Sequence, residues 1–240
     1  MSLSLIIPFF NEKDQIPHTY KKLKKLKEKI KKIEFIFVDD FSNDGSSVLI
    51  KNLKKKNKSV KYVKNIKKGL GSAITVGITN SKKDYVCIYM CDESDDIQDV
   101  CNYYKLIAKN NKDAILGTRF SNKSVVKNYP FFKLILNRLA NNMIRIIFFS
   151  KYNDFTNACK MYKRKVLLEL FPLVSESFNI FLEIPLKIII RKYKFEIIPI
   201  NWRGRKIGVS KFKIKEMSSM YIFTLFYCLF EKILLNKKRK

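Results

Sequence analysis

The 240-residue chain is short of acids: 21 Asp and Glu stand against 49 Lys and Arg, a formal net charge of +28. Seven glycines and six prolines are too few for a collagenous or low-complexity chain. The five cysteines (87, 91, 101, 159 and 228) are odd in number and form no Cys-x-x-Cys pair. That usage excludes a disulfide framework and suits structural thiols in a reduced, cytosolic compartment. The one histidine, His18, falls in a lysine-rich stretch away from every motif and reads as a surface residue, not a catalyst. The N-terminus lacks the basic start and cleavage site of a signal peptide, because Met1 runs almost directly into LSLIIPFF.

What remains is substantial. A hydrophobic content of 47% with 13% aromatics rules out a disordered polycation. The length suits one sizeable α/β domain or two small ones, and roughly 70% of the unfolded surface is buried at this size. The positive charge is mostly lysine: only eight of the 49 cations are Arg. Scattered Lys gives a diffuse field and lacks the bidentate fork of base or phosphate recognition, so a specific nucleic-acid partner is disfavoured. Attraction to an anionic membrane surface fits at least as well, at about 1 kcal/mol for each Lys close to the headgroups.

Apolar and β-branched runs at Ser4–Pro8, Glu34–Val38, Val60–Val63 and Tyr85–Met90 alternate with helical patterns. The helices fall over the lysine-rich stretch carrying Leu23, Leu26 and Ile30, then over about 46–56 and 71–80. Near-continuous apolar strands alternating with helices predict a parallel sheet covered on both faces, with ligands at the carboxyl ends of the strands. Further on, the sequence predicts helices at 97–109, 164–171 and 178–192, strands at 114–117 and 196–200, and a long amphipathic stretch over 129–149. The tail holds an apolar run, MYIFTLFYCLF (220–230), followed by KKRK (237–240). Eleven residues fall short of the roughly 18–20 needed to span a bilayer. The tail therefore reads as an amphipathic helix lying at a membrane interface or docked on a partner, with simple packing on the core as the alternative.

Two acidic groups stand at strand ends. VDDFSNDGS places Asp39 and Asp40 directly after the second strand. An Asx-type turn explains Asp44 and Gly45, but not two adjacent carboxylates at the strand terminus, which need a cation or hydrogen-bond donors. MCDESDD places Asp92, Glu93, Asp95 and Asp96 after the fourth strand. Clustered oxygen ligands suit Mg²⁺ or Mn²⁺ bridging to a diphosphate; a helix N-terminus is the plainer reading.

Taken in order, IPFFNE (7–12), FVDDFSNDGS (37–46), KKGLGSAITVGI (67–78), DYVCIYMCDESDD (84–96), GTRF (117–120), FTNACKMYKRKVL (155–167), FLEIPLKIIIRKYKFEIIPINW (181–202) and RKIGVSKF (205–212) form a series. This series resembles the family 2 glycosyltransferases of the GT-A fold, in their dolichyl- or polyprenyl-phosphate sugar synthase branch. The resemblance implies a three-layer α/β/α domain with a mainly parallel sheet over 1–215, followed by a basic membrane-surface tail over 216–240. It implies nucleotide-sugar contacts from Pro8, Phe10, Glu12, Asp39, Asp40, Gly69, Gly71 and Asp92. Asp92 becomes the metal and diphosphate ligand, with Glu93 and Asp95 as possible additions because Met90 replaces the first acid of the family's pair. Arg119, Arg205, Ser210 and Lys211 would cover the donor diphosphate or the acceptor phosphate, with Glu183 near the acceptor.

The chemistry implied is inverting transfer of one sugar from a nucleotide diphosphate sugar to polyprenyl phosphate. A phosphate monoester has a second pKa of about 6 and is largely a dianion at neutral pH, so it attacks without a general base. It needs cationic cover, which Arg119, Arg205, Lys211 and a divalent metal would supply. The alternative acceptor is a hydroxyl of a surface polysaccharide or lipopolysaccharide, with Asp95 or Asp96 as base; a basic nucleic-acid-binding module is the non-enzymatic alternative. The implied place is peripheral, on the cytoplasmic face of the membrane, with or without a membrane-protein partner.

Overall fold

The computed structural model describes residues 1–205 and 214–237. A seven-stranded sheet is built from β1 (Leu3–Phe9), β2 (Ile33–Asp39), β3 (Val60–Lys64), β4 (Tyr85–Ile88), β5 (Ala114–Thr118), β7 (Lys160–Lys163) and β8 (Phe195–Pro199), in the order β3-β2-β1-β4-β7-β5-β8. Every neighbouring pair is parallel except the two made by β7, which runs antiparallel between β4 and β5. A small second sheet pairs β6 (Val126–Lys127) with β9 (Trp202–Arg203). Strand β7 is absent from the sequence reading: its residues, KMYK, are short, half-charged and lack an apolar run.

The strands read as apolar runs because both faces of the sheet are covered. In β1, Leu3, Leu5, Ile7 and Phe9 enter one core while Ile6 enters the other; β2 divides Ile33, Phe35 and Phe37 from Ile36 and Val38. The first core is closed by α1 (Ile16–Lys29), α2 (Ser46–Lys56) and α4 (Ile97–Lys109), through Leu23, Leu26, Ile50, Val100 and Tyr103. The second is closed by α3 (Leu70–Asn80), α6 (Arg164–Glu169) and α7 (Ile180–Ile190). The three-layer arrangement expected from the sequence is what the chain forms.

Two helices add to the sequence reading: one bears out the amphipathic stretch and shows where it faces, and the other extends the tail helix. Helix α5 (Phe131–Ile147) is amphipathic, but its apolar stripe faces outward: Phe132, Leu136, Leu139, Met143 and Ile146 are exposed at helical spacing. Its inner face is mixed: Ile144 enters the second core, and beside it lies a buried asparagine. Asn141 is 1% exposed, accepts the Phe155 N–H at 2.6 Å and donates to Asn137 O at 2.8 Å.

Helix α8 (Ile214–Lys237) is longer than the apolar run read from sequence and apolar on more than one side. Its segment Ser218–Leu235 has the length and composition of a membrane span, with 11% of it buried in the protein. The docked side carries Thr224 and Cys228, while Ile222, Phe223, Phe226, Phe230, Ile233 and Leu234 are exposed. Ties along its length include Tyr221 OH to Phe178 O at 3.1 Å, Asn179 Nδ2 to Thr224 Oγ1 at 2.9 Å, Glu231 to Arg191 at 2.7 Å, and Lys232 Nζ to Ile147 O at 3.2 Å.

Candidate active site

The carboxyl ends of β1, β2, β3 and β4 lie side by side, and the polar residues following them converge. Asp39 is 3% exposed and its oxygens are filled from within: Ser42 N–H donates at 2.9 Å, Tyr62 OH at 2.8 Å, and Ser47 Oγ also donates. Burial alone would raise its pKa, but the Ser47, Ser42 and Tyr62 hydrogen bonds outweigh that and hold the carboxyl below its ordinary value. Asp39 therefore builds the loop.

Asp40 is half-buried and accepts from Asn65 Nδ2 and from Gly69 N–H, both at 2.8 Å. Asn65, 3% exposed, also holds Ser72 Oγ at 3.0 Å and was not singled out in the sequence reading. The signal was there: it is the polar residue directly after β3, as Asp40 is after β2.

Gly69 has φ of +141° and lies under the segment carrying Glu176, whose carbonyl would stand 2.4 Å from a Cβ at this position. At Gly71 a Cβ would meet Ser175 O at 2.2 Å, and the Gly71 N–H donates to Glu176 O at 2.9 Å. Both glycines thus admit a crossing backbone. Glu183, expected near an acceptor, instead fixes that crossing segment: wholly buried, it accepts from Ser175 N–H at 2.8 Å and pairs with Lys187 at 2.9 Å.

Pro8 is buried in β1 beside Val38, and Phe10 lies just beyond, with Lys68 Nζ 5.2 Å from its ring centre. Next to them Glu12, Asp92 and Arg205 meet. Arg205 Nη2 is 3.1 Å from Glu12 Oε1 and 3.3 Å from Asp92 Oδ2, joining three segments far apart in sequence. Burial would lower the Arg205 pKa, but the facing Asp92 and Glu12 raise it on balance, so the guanidinium stays charged. Ser94 N–H steadies Asp92 Oδ1 at 3.1 Å.

Arg119, expected to face the donor diphosphate or the acceptor phosphate, has its guanidinium held from within. It is 7% exposed, and its Nε and Nη2 donate to the two oxygens of Asp154 at 2.9 and 2.6 Å. Nη2 also reaches Thr156 Oγ1 at 3.2 Å. Asp154 was not singled out in the sequence, since nothing local shows that it meets a residue 35 positions earlier. Ser210 and Lys211 lie outside the described residues.

A glycosyl transferase family 2 model matches residues 4–171. The chain belongs to glycosyltransferase family 2. It is 24% identical over 213 residues to the polyprenol monophosphomannose synthase of Mycolicibacterium smegmatis, covering 86% of this chain and 79% of that protein. It is 27% identical over 219 residues to the dolichol-phosphate mannosyltransferase of Pyrococcus furiosus, covering 90% of this chain but 60% of the archaeal protein. Among solved structures it is similar to glucosyl-3-phosphoglycerate synthase from Mycobacterium tuberculosis in complex with Mn²⁺, UDP-glucose and phosphoglyceric acid. That likeness has a TM-score of 0.71 at 13% identity, over 95% of this chain and 79% of the other.

In this glycosyltransferase the residues suit a divalent cation that shares its ligands with substrate. Among the described residues no three His, Cys, Asp or Glu side chains form a complete cage. Yet Glu12 and Asp92 already converge on one cationic nitrogen, and Mg²⁺-type ions use one or two carboxylates plus substrate phosphates. Glu93, a candidate additional ligand, turns instead to Lys22 at 2.6 Å. Asp95, the other candidate, is 2% exposed, and burial together with nearby Asp92 pushes its carboxyl up to about 7. His18 is exposed, as expected, but lines the same cleft as Asp92 and its acidic neighbours instead of standing apart.

Proposed function

We propose that this glycosyltransferase moves a single sugar from a nucleotide diphosphate sugar to polyprenyl phosphate, peripherally at the cytoplasmic face of a membrane. The observation that carries the donor half is the convergence of Glu12, Asp92 and Arg205 at the mouth of the sheet. There the two carboxylates would hold Mg²⁺ or Mn²⁺, which would neutralise the diphosphate leaving group. Arg205, freed from its carboxylates, would take up phosphate oxygens, together with Ser210 and Lys211. Phe10, Asp40, Asn65 and the Gly69–Gly71 turn would bound the nucleotide. The synthase and mannosyltransferase names of the relatives, and the Mn²⁺ held by the glucosyl-3-phosphoglycerate synthase, support this reading.

The acceptor half rests on surface chemistry. The outward apolar stripes of α5 and α8 suit the headgroup boundary of a bilayer, and basic residues such as Lys133, Arg138 and Arg145 suit anionic lipid. The five cysteines are buried and unpaired, as a reduced compartment would leave them. A lipid phosphate dianion presented there would attack the anomeric carbon directly, covered by Arg119 on its Asp154 support.

The test is one reaction: protein, Mg²⁺ or Mn²⁺, a short-chain polyprenyl phosphate, and a panel of labelled GDP- and UDP-sugars. Label that enters butanol and is released by mild acid is the expected product. Label that stays in water with polyprenyl phosphate, but moves onto a polysaccharide hydroxyl, would replace the acceptor.

A further inference from the structure

The segment between α6 and α7 crosses directly over the Gly69–Gly71 turn, and residues 171–176 form neither helix nor strand. Without a ladder of its own, this backbone has its path set by groups from other elements. Toward the turn, the Glu176 carbonyl accepts from the N–H groups of Gly71, at 2.9 Å, and Ser72, at 3.4 Å. On the turn's other side, Asp40 accepts from Gly69 N–H at 2.8 Å and Asn65 Oδ1 from Ser72 Oγ at 3.0 Å. The turn is thus clamped between the strand ends and the crossing segment.

Two helices hold the crossing segment from outside. On α7, Glu183 accepts from Val174 N–H at 3.0 Å and Ser175 N–H at 2.8 Å. On α8 the holder is Thr224, fully buried on the docked side. Its hydroxyl donates to Met220 O at 2.9 Å, accepts from Asn179 Nδ2 at 2.9 Å and stands 3.3 Å from Ser175 Oγ. With its one proton on Met220 O, it is the acceptor for Ser175 as well. Ser175 and Asn179 are both buried, so water does not replace that hydroxyl if it is removed.

We propose that Thr224 is a positioning residue for the donor. Through Ser175 and the Glu176 carbonyl it sets the Gly69–Ser72 turn, so α8 braces the nucleotide site with one side while its apolar side is turned outward. The proposal rests on the reading that the nucleotide lies against this turn. Buried polar networks fix a geometry because each lost partner leaves a group unpaired. The helix whose exposed side suits lipid is in this way also part of the frame of the donor site.

The experiment is calorimetric and needs no acceptor. UDP and GDP are titrated in Mg²⁺ into the full chain, Thr224→Val, Thr224→Ser and Ser175→Ala, and the melting temperature of each is measured. Thr224→Val keeps the size and removes the hydroxyl, whereas Thr224→Ser keeps the hydroxyl and removes a buried methyl. Whichever nucleotide the wild type binds, Thr224→Val should bind it about fivefold or more weakly, the scale of one lost hydrogen bond. Ser175→Ala should weaken binding in the same direction. Thr224→Ser should melt lower for its lost methyl, yet bind within about twofold of wild type. Wild-type affinity in Thr224→Val or in Ser175→Ala overturns the proposal, so a Thr224→Val that does not fold leaves Ser175→Ala to decide. An equal loss in Thr224→Ser overturns it too, because packing of α8 would then be responsible. A wild type that binds neither UDP nor GDP removes the donor reading, and the proposal with it.

Discussion

At the scale of the residue, the site is built on charges that fold far from water. Arg119 and Asp154 form a fork-to-carboxylate pair with Asp154 at 0% exposure. Removing one partner strands the other, which typically costs about 3–5 kcal/mol. Asp154→Asn should therefore lower unfolding stability by about that much in urea and, if the protein still folds at 20 °C, depress transfer. Unchanged stability would mean that Arg119 finds another counter-ion. Asp95 makes a pH prediction. Its carboxyl keeps its proton in the folded chain up to about pH 7, against an ordinary value of 3.8. Between those values the unfolded chain binds fewer protons than the folded one, so this group makes stability fall as pH rises from about 4 to 7. The melting temperature of Asp95→Asn should gain on wild type across that interval, in metal-free buffer; a constant difference would refute the shift. Asp39 and Asp92 show what sequence reads well and badly at this scale. Both were found from their place after apolar strands, yet only the structure shows Asp39 satisfied by Ser42, Ser47 and Tyr62 and Asp92 facing Arg205.

At the scale of the element, α5 and α8 depart from the usual rule for surface helices in turning apolar side chains outward. Their outward side chains include Leu139 at 56% and Phe226 at 54% exposure, while α5 turns Asn137 and Asn141 toward Thr156. Each apolar side chain buried in lipid is worth about 1.5–3 kcal/mol. Leu139→Glu combined with Phe226→Glu should thus weaken binding to anionic vesicles by about 100-fold or more. Melting temperature should barely change, because neither side chain packs in the core. Flotation equal to wild type would place the membrane contact elsewhere. Deleting α8 outright is a poorer test, since Thr224 and Cys228 are fully buried and Thr224 accepts from Asn179 Nδ2 at 2.9 Å. The 3.6-residue pattern of α5 was legible in the sequence; which way its apolar stripe points was not, because periodicity is the same whether a helix faces a core or a bilayer.

At the scale of the whole molecule, the local order of strands and helices was legible because covered parallel strands must be apolar and their crossover helices amphipathic. That pattern, with the acids after β2 and β4 and the motif series from IPFFNE to RKIGVSKF, determined the fold class, the family and the end of the sheet that carries the site. Strand β7 escaped it, since four residues with Lys at both ends show no apolar run, and Met161 and Tyr162 become core residues only once the ladders on both edges place them. Tertiary structure alone decided the partnerships: Glu12 with Asp92 and Arg205, Arg119 with Asp154, Asn65 with Asp40, and Asp95 beside Trp202. The physical reason is range. Burial pattern and turn chemistry act over a few residues and are written into the local sequence, whereas a charge or hydrogen-bond partner 35 or 193 positions away is set only when the chain closes in space.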